Sequence, residues 1–418
     1  MKKTSLSETS TERPKGKTML TSTLPKTRGE AAALSRVRQM TDLVWTPLRD
    51  IPAYIGKEER YVVLEAGVPL KGILYSSTED TDSFVEENIS LESFLSMVEN
   101  PDSQLYREGH GVYFRANCGM VCNGLVRYAF GISHRVPTAL WFEMPGMRLI
   151  APAGAYTARE IRLCDVLHVY DEDRKHVAMI TDLLRDEAGE VAEIEVSEAV
   201  PPCCKRARYT LEEYFQKFSR FSLCRYDFLE TVPPFEEKAC SAPDWEGRKR
   251  PNLAVDRGNF SNYRLGEEVV LSVFSDRDDT VELFCGDRLV QSFLVGPRAL
   301  FPLKLERGYY TARLKENKAS VEFAVVGAKV SHRVEGDLLV VSADSCDENS
   351  RLLQADFRKK KKRAALMAAF LELSSEELQT GCFFRPIPPN AVYFKLYFEN
   401  RYGIWTSSLV EITPDESV

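Results

Sequence analysis

Cys122 stands directly ahead of Asn123 and Gly124, after which Leu125, Val126, Ala129 and Phe130 recur at helical spacing. The pattern predicts a helix with a thiol in its first turn. Unpaired backbone N–H groups and the positive end of the helix dipole favour thiolate over thiol there. Only the thiolate is a good nucleophile, so the placement is itself a means of activation. Asn123 and Gly124 are poor helix-interior residues but suit an exposed first turn. Cys118 is the competing thiol. It precedes the helix by about one turn and lacks the dipole argument.

A nucleophilic thiol needs a base, and the chain has five histidines. His176 opens the strand-like run Lys175-His176-Val177-Ala178-Met179-Ile180-Thr181. Alternation sets His176, Ala178 and Ile180 on one face, with Val177 and Met179 on the other. A histidine at a strand mouth is more often structural, but its order after Cys122 makes it the first candidate base. His168 is the alternative. His110, His134 and His332 lack a strand context and are expected at the surface.

A third group should orient the imidazole. Glu198, in Ile194-Glu195-Val196-Ser197-Glu198-Ala199, shares parity with Ile194 and Val196 and so faces inward. A buried carboxylate needs a partner, which is either His176 or a salt-bridging Arg or Lys. Tyr113, Asn123 and Tyr75 are the candidate substrate-binding residues. His110, Cys118, Cys122 and His134 are separated by eight, four and twelve residues, which matches no usual zinc pattern. No metal and no organic cofactor is expected.

The elements that must hold these groups follow from local patterns. Residues 90–98 read as a short amphipathic helix capped by Ser90, and residues 122–131 as the thiol-bearing helix. Residues 163–170, 176–184 and 191–198 read as strands, and residues 224–229 as one more. Thr210-Leu211-Glu212-Glu213 is a capping box opening a helix. One helix with the thiol, packed on an antiparallel sheet with the histidine, predicts an α+β core.

Residues 1–35 are Lys/Thr/Ser-rich and expected to be a disordered tail with no secretory signal. The core is expected over 36–235 and a Pro-, Lys- and Glu-rich linker over 236–257. Short strands about ten residues apart then predict a small Ig-like β-sandwich over 258–327 and a second sandwich-like unit over 328–418. The basic run at 358–363 is expected to be a solvated loop or strand edge rather than a nucleic-acid patch. A net charge of −7 argues against nucleic acid as a partner. No apolar run approaches the roughly eighteen residues needed to span a bilayer. Without a signal, the ten irregularly spaced cysteines are expected as reduced thiols in the cytoplasm, or at the cell wall if exported by another route.

The ordered set Val121-Cys122-Asn123-Gly124-Leu125-Val126, Cys164-Asp165-Val166-Leu167, Lys175-His176-Val177-Ala178-Met179-Ile180 and Glu198-Ala199 resembles the NlpC-like cysteine peptidases. These are papain-fold enzymes that cut bacterial cell-wall peptides. Asn123 stands where that family has serine, Lys175 where it has glycine, and Glu198 where His, Asn or Gln is commoner. The resemblance implies a papain-like core and a cysteine amidase or endopeptidase. Cys122 would be its nucleophile, His176 its base and Glu198 its orienting group, and a peptide or peptidoglycan fragment its substrate. A thiol acyltransferase or deamidase is the neighbouring expectation. The expectation from another class is a non-catalytic protein whose C-terminal β domains bind a cell-wall or protein ligand.

Overall fold

The computed structural model describes residues 20–55, 60–76, 90–107, 110–111, 118–133, 136–235, 252–345, 347–359 and 367–412. Six α-helices occur among them: α1 (Arg28–Asp42), α2 (Leu91–Glu99), α3 (Gln104–Arg107), α4 (Cys122–Phe130), α5 (Leu211–Lys217) and α6 (Ser375–Thr380). The described residues are mostly β, with 45% strand and 18% helix. Its strands are spread over seven sheets of two to seven strands. A mostly-β chain replaces the α+β papain-like core expected from the thiol helix and histidine strand. The physical reason is the density of short Val-, Leu- and aromatic-rich runs from Leu253 onward, which pair into four of the seven sheets.

In the first part of the chain the largest sheet has seven strands. Its main path runs Cys204–Thr210, Val191–Ala199, Lys175–Arg185, Val166–Tyr170, Ser222–Tyr226 and Met147–Ala151, all antiparallel, with Thr21–Ser22 added to Lys175–Arg185. The strand Lys175–Arg185 is buried from His176 to Leu184, so both faces are covered. Helix α4 lies against it, and α1 packs on α4. Helix α1 starts inside the expected tail. Thr27 caps it, accepting from the Glu30 N–H at 3.0 Å, and Ala32, Ala33, Leu34, Val37 and Met40 are buried. These small and apolar side chains let two helices approach closely, which overrides the polar composition around them.

Two sheets then face one another across a core of Leu253, Val255, Tyr263, Leu271, Val281, Leu283 and Phe323. One has three strands: Leu253–Val255, Glu268–Phe274 and Arg298–Lys304. The other has five: Ser261–Arg264, Ser320–Val326, Gly308–Leu314, Asp279–Cys285 and Arg288–Val295. This is a β-sandwich. A further pair of sheets, of three and five strands, encloses Phe357, Leu396, Phe398 and Trp405. Arg358, expected in a solvated loop, is instead buried in the strand Arg351–Arg358 and donates to the Tyr397 hydroxyl at 2.9 Å. Residues 360–363 of that basic run lie outside the described residues.

The first part and the middle sandwich are joined by polar contacts. The Ser93 hydroxyl donates to the Asn259 carbonyl at 2.6 Å, and the Asn259 N–H to the Ser96 hydroxyl at 3.0 Å. The Asn100 amide donates to the Val255 carbonyl at 3.2 Å. Gly258 has φ +81°, and a Cβ there would lie 2.2 Å from the Ser93 carbonyl oxygen, so only glycine permits this approach. Asn262 and Asn400 exchange side-chain amide bonds at 3.3 and 2.8 Å, tying the middle sandwich to the last unit.

Candidate functional site

Helix α4 begins at Cys122 after Val121, an N-cap residue with no side-chain hydrogen bond. The chain reaches it past Gly119, where a Cβ would stand 2.0 Å from the Leu74 carbonyl oxygen. That close approach pins the entry to the helix. The Asn123 and Val177 N–H groups donate to the Cys122 sulfur, and the His176 ring is hydrogen-bonded to it.

His176 is buried at the start of its strand. Its Nε2 lies 3.0 Å from Glu198 Oε2 on the neighbouring strand Val191–Ala199, leaving Nδ1 for the thiol. Phe221 meets the ring edge to face at 6.2 Å between centroids. Glu198 is buried, and its other oxygen, Oε1, lies 3.3 Å from Lys217 Nζ and 3.6 Å from Lys205 Nζ. Lys217 is itself held by the Tyr209 hydroxyl and sits over the Tyr209 and Phe218 rings, 4.4 and 5.2 Å from their centroids. One carboxylate thus bridges a buried imidazole and two cations.

The electrostatics follow from these contacts. Burial opposes charge on all three groups, but partners outweigh it. Burial pulls His176 down, yet its bonds to Cys122 and Glu198 and their charges push it up to about 9. Burial raises Glu198, yet His176, then Lys217 and Lys205, bring it down to about 2. Burial raises Cys122, yet the His176 bond and charge and the two backbone N–H donors leave it below the usual thiol value. The arrangement favours thiolate, imidazolium and carboxylate in a row. It can hold a nucleophilic sulfur and place a proton beside it.

The structure therefore brings Cys122, His176 and Glu198 together. Cys118 is fully buried. His168, on the strand Val166–Tyr170, directs Nε2 to the Thr138 carbonyl at 2.8 Å, packs against Phe142 and is lowered by burial. Asn123 turns inward, its side-chain amide donating to the Val136 carbonyl at 2.6 Å. Tyr75 is half-buried beside Met120 in an isolated bridge. Tyr113 and His134 lie outside the described residues. Among the described residues no group of three His, Cys, Asp or Glu is placed to hold a metal ion. No helix among them is long and apolar enough to cross a membrane. Lys205, Lys217 and Tyr209 escaped the sequence reading. The alternation of basic residues at 205, 206 and 208 opposite a strand with acids at 193, 195 and 198 was the signal available.

A second feature lies in the middle sandwich. Among the described residues the strand Arg288–Val295 is the outer strand of its sheet and pairs only with Asp279–Cys285. Leu289, Val290 and Leu294 are 50%, 39% and 73% exposed, and Gln291 and Ser292 are exposed between them. A register shift at Leu283 and Phe284 falls opposite Val290, and the rest of the strand stays in step from Gln291 to Val295.

No family model and no curated protein matches the chain. Among solved structures it is similar to alpha-2-macroglobulin from Escherichia coli spanning domains NIE-MG1, at 13% identity over 38% of this chain and 96% of that one, TM-score 0.18. A DUF3823 family protein from Bacteroides ovatus aligns at 14% identity over 35% of this chain and 93% of that one, TM-score 0.18. Fibronectin(III)-like modules of Clostridium thermocellum CbhA align at 13% identity over 38% and 91%, TM-score 0.18. These findings correct the expected kinship. The NlpC-like peptidase family, its amidase or endopeptidase activity and its cell-wall substrate are not upheld: no family model and no curated protein of that kind matches the chain. Likenesses this distant transfer no activity to the chain.

Proposed function

We propose that this chain is a binding protein whose middle sandwich takes up an extended, apolar segment of a partner protein by strand addition at Arg288–Val295. The observation that carries the reading is the exposure of Leu289, Val290 and Leu294 on a strand with a single neighbour among the described residues. Edge strands are ordinarily guarded by proline, lysine or inward-pointing charge. The outer strand of the facing sheet, Arg298–Lys304, has Pro302. Arg288–Val295 has no proline, and its one charge, Arg288, stands at its start. Each large apolar side chain left in water forgoes roughly 1.5–3 kcal/mol that burial under a partner would return.

In such a complex the main chain supplies hydrogen bonds and alternate side chains supply selectivity. The matching segment has apolar, β-branched or aromatic residues at every second position. Selection from a library of displayed random dodecapeptides tests this, using the parent and the Leu289→Lys, Leu294→Lys double variant. Both positions are exposed, so the variant should melt with the parent. Peptides of alternating apolar pattern should be enriched on the parent and bind the variant about tenfold or more weakly, because two lysines must be desolvated. Equal enrichment on both proteins, or none on the parent, would overturn the reading.

A further inference from the structure

We propose that Cys122, held between the first turn of α4 and His176, is a covalent attachment site for conjugated carbonyl compounds such as α,β-unsaturated ketones and aldehydes. The inference is independent of the strand-addition reading. Of the eight described cysteines five are buried, at 118, 164, 203, 204 and 224, Cys382 is exposed, and Cys122 and Cys285 are partly exposed. Its sulfur accepts from the Asn123 and Val177 backbone N–H groups and from the His176 ring. Glu198 orients that ring from the far side, and Lys217 and Lys205 hold Glu198. Cys204, the other titratable group close enough to influence Cys122, is deeply buried and raised, so it stays a neutral thiol.

The choice of electrophile rests on the proton beside the sulfur. A conjugated carbonyl needs both a soft nucleophile and an acid, and this site offers both within one hydrogen bond. A Cys122 electron pair forms the bond from sulfur to the β carbon. The C=C π pair moves toward the carbonyl, and the resulting enolate takes the imidazolium proton at its α carbon. His176 is left neutral and still hydrogen-bonded to Glu198. One addition per chain results, with no leaving group and no co-reactant. An alkyl halide uses the thiolate but has no use for that proton.

The comparison of two reagents on the full chain tests this. Methyl vinyl ketone and iodoacetamide are each added in limiting amount at pH 6.5, and labelling of Cys122 and Cys382 is followed by site-resolved mass spectrometry. Cys122 should react with both reagents before Cys382. Its advantage with methyl vinyl ketone should exceed that with iodoacetamide by about tenfold or more. In His176→Gln, and more mildly in Glu198→Gln, that excess should vanish. Equal advantages for the two reagents in the parent would overturn the proposal, leaving an activated thiol with no proton delivery. Prior reaction of Cys382 would overturn it as well. Both decisive outcomes are read in the parent chain, so they stand whether or not the variants fold.

Discussion

Glu198 Oε2 lies 3.0 Å from His176 Nε2, between two buried side chains on adjacent strands. The same carboxylate directs Oε1 at Lys217, so its two oxygens serve an imidazole and an ammonium at once. A carboxylate shared in this way cannot rotate without losing one partner. The orientation of His176 therefore depends on a residue in α5 that never touches it.

Lys217 is accordingly a positioning residue, and its removal should be felt at the thiol. In Lys217→Met the stem and its packing on Tyr209 and Phe218 are kept while the charge is lost. Glu198 then turns more freely and the His176 bond is less well held. The alkylation rate of Cys122 by iodoacetamide, followed from pH 5 to 9, should fall about three- to tenfold near neutral pH. A purely structural lysine would lower the melting temperature and leave the pH profile where it was.

A second expectation concerns pH and stability. The raised His176 contributes stability that is complete below 6.5 and lost as pH rises through about 9. The lowered Cys122 contributes stability that is complete above 9 and lost as pH falls. Between 6.5 and 9 the two changes cancel, because the unfolded and folded pairs each bind one proton in that window. Cys122→Ser removes one half of the balance. Its urea midpoint relative to the parent should then decline between pH 6.5 and 9, since Glu198 still holds His176 up. A constant difference across that window would show that Glu198 alone does not keep His176 charged once the thiol is gone.

The third expectation tests what aligns the histidine strand. Asp165 is fully buried and receives Arg225 Nε at 2.7 Å and a second guanidinium nitrogen at 2.8 Å, together with the Arg162 N–H at 2.8 Å. Arg225→Ala would leave the Asp165 carboxylate buried beside a single backbone donor. The cost should be about 3–5 kcal/mol, measurable by denaturant unfolding. The double variant Asp165→Asn, Arg225→Ala should recover part of that loss, because the stranded charge is gone. A loss under about 1 kcal/mol in the single variant would mean that water reaches Asp165.

Where a signal was local, the sequence was legible. The apolar spacing after Cys122 marked α4, the capping box at Thr210 and Glu213 marked α5, and Ser90 marked α2. Runs of Val, Ile and Leu located the strands around His176 and Glu198 to within a few residues, since a strand buried on both faces reads as a near-continuous apolar run. Helix α1 was missed because its polar composition suits a tail. Tertiary contact with α4, with the strand Cys204–Thr210 and with the turn at Leu229–Thr231 makes burial of Ala33, Val37 and Met40 favourable. The strands Met147–Ala151 and Cys204–Thr210 were missed because they alternate weakly and carry arginine and lysine.

By itself the sequence determined which groups could do chemistry: a thiol at a helix start, a histidine at a strand mouth and an inward carboxylate. Periodicity and capping act over a few residues, so these need no knowledge of the rest of the chain. Tertiary structure alone decided what those groups meet. The partner of Glu198 was open between His176 and a lysine, and the fold supplies both, because His176, Lys205 and Lys217 converge from three separate elements. The same holds for the sheet edge. That Leu289 and Leu294 stay in water follows from which strand ends the sheet, and pairing order is a property of the assembled fold.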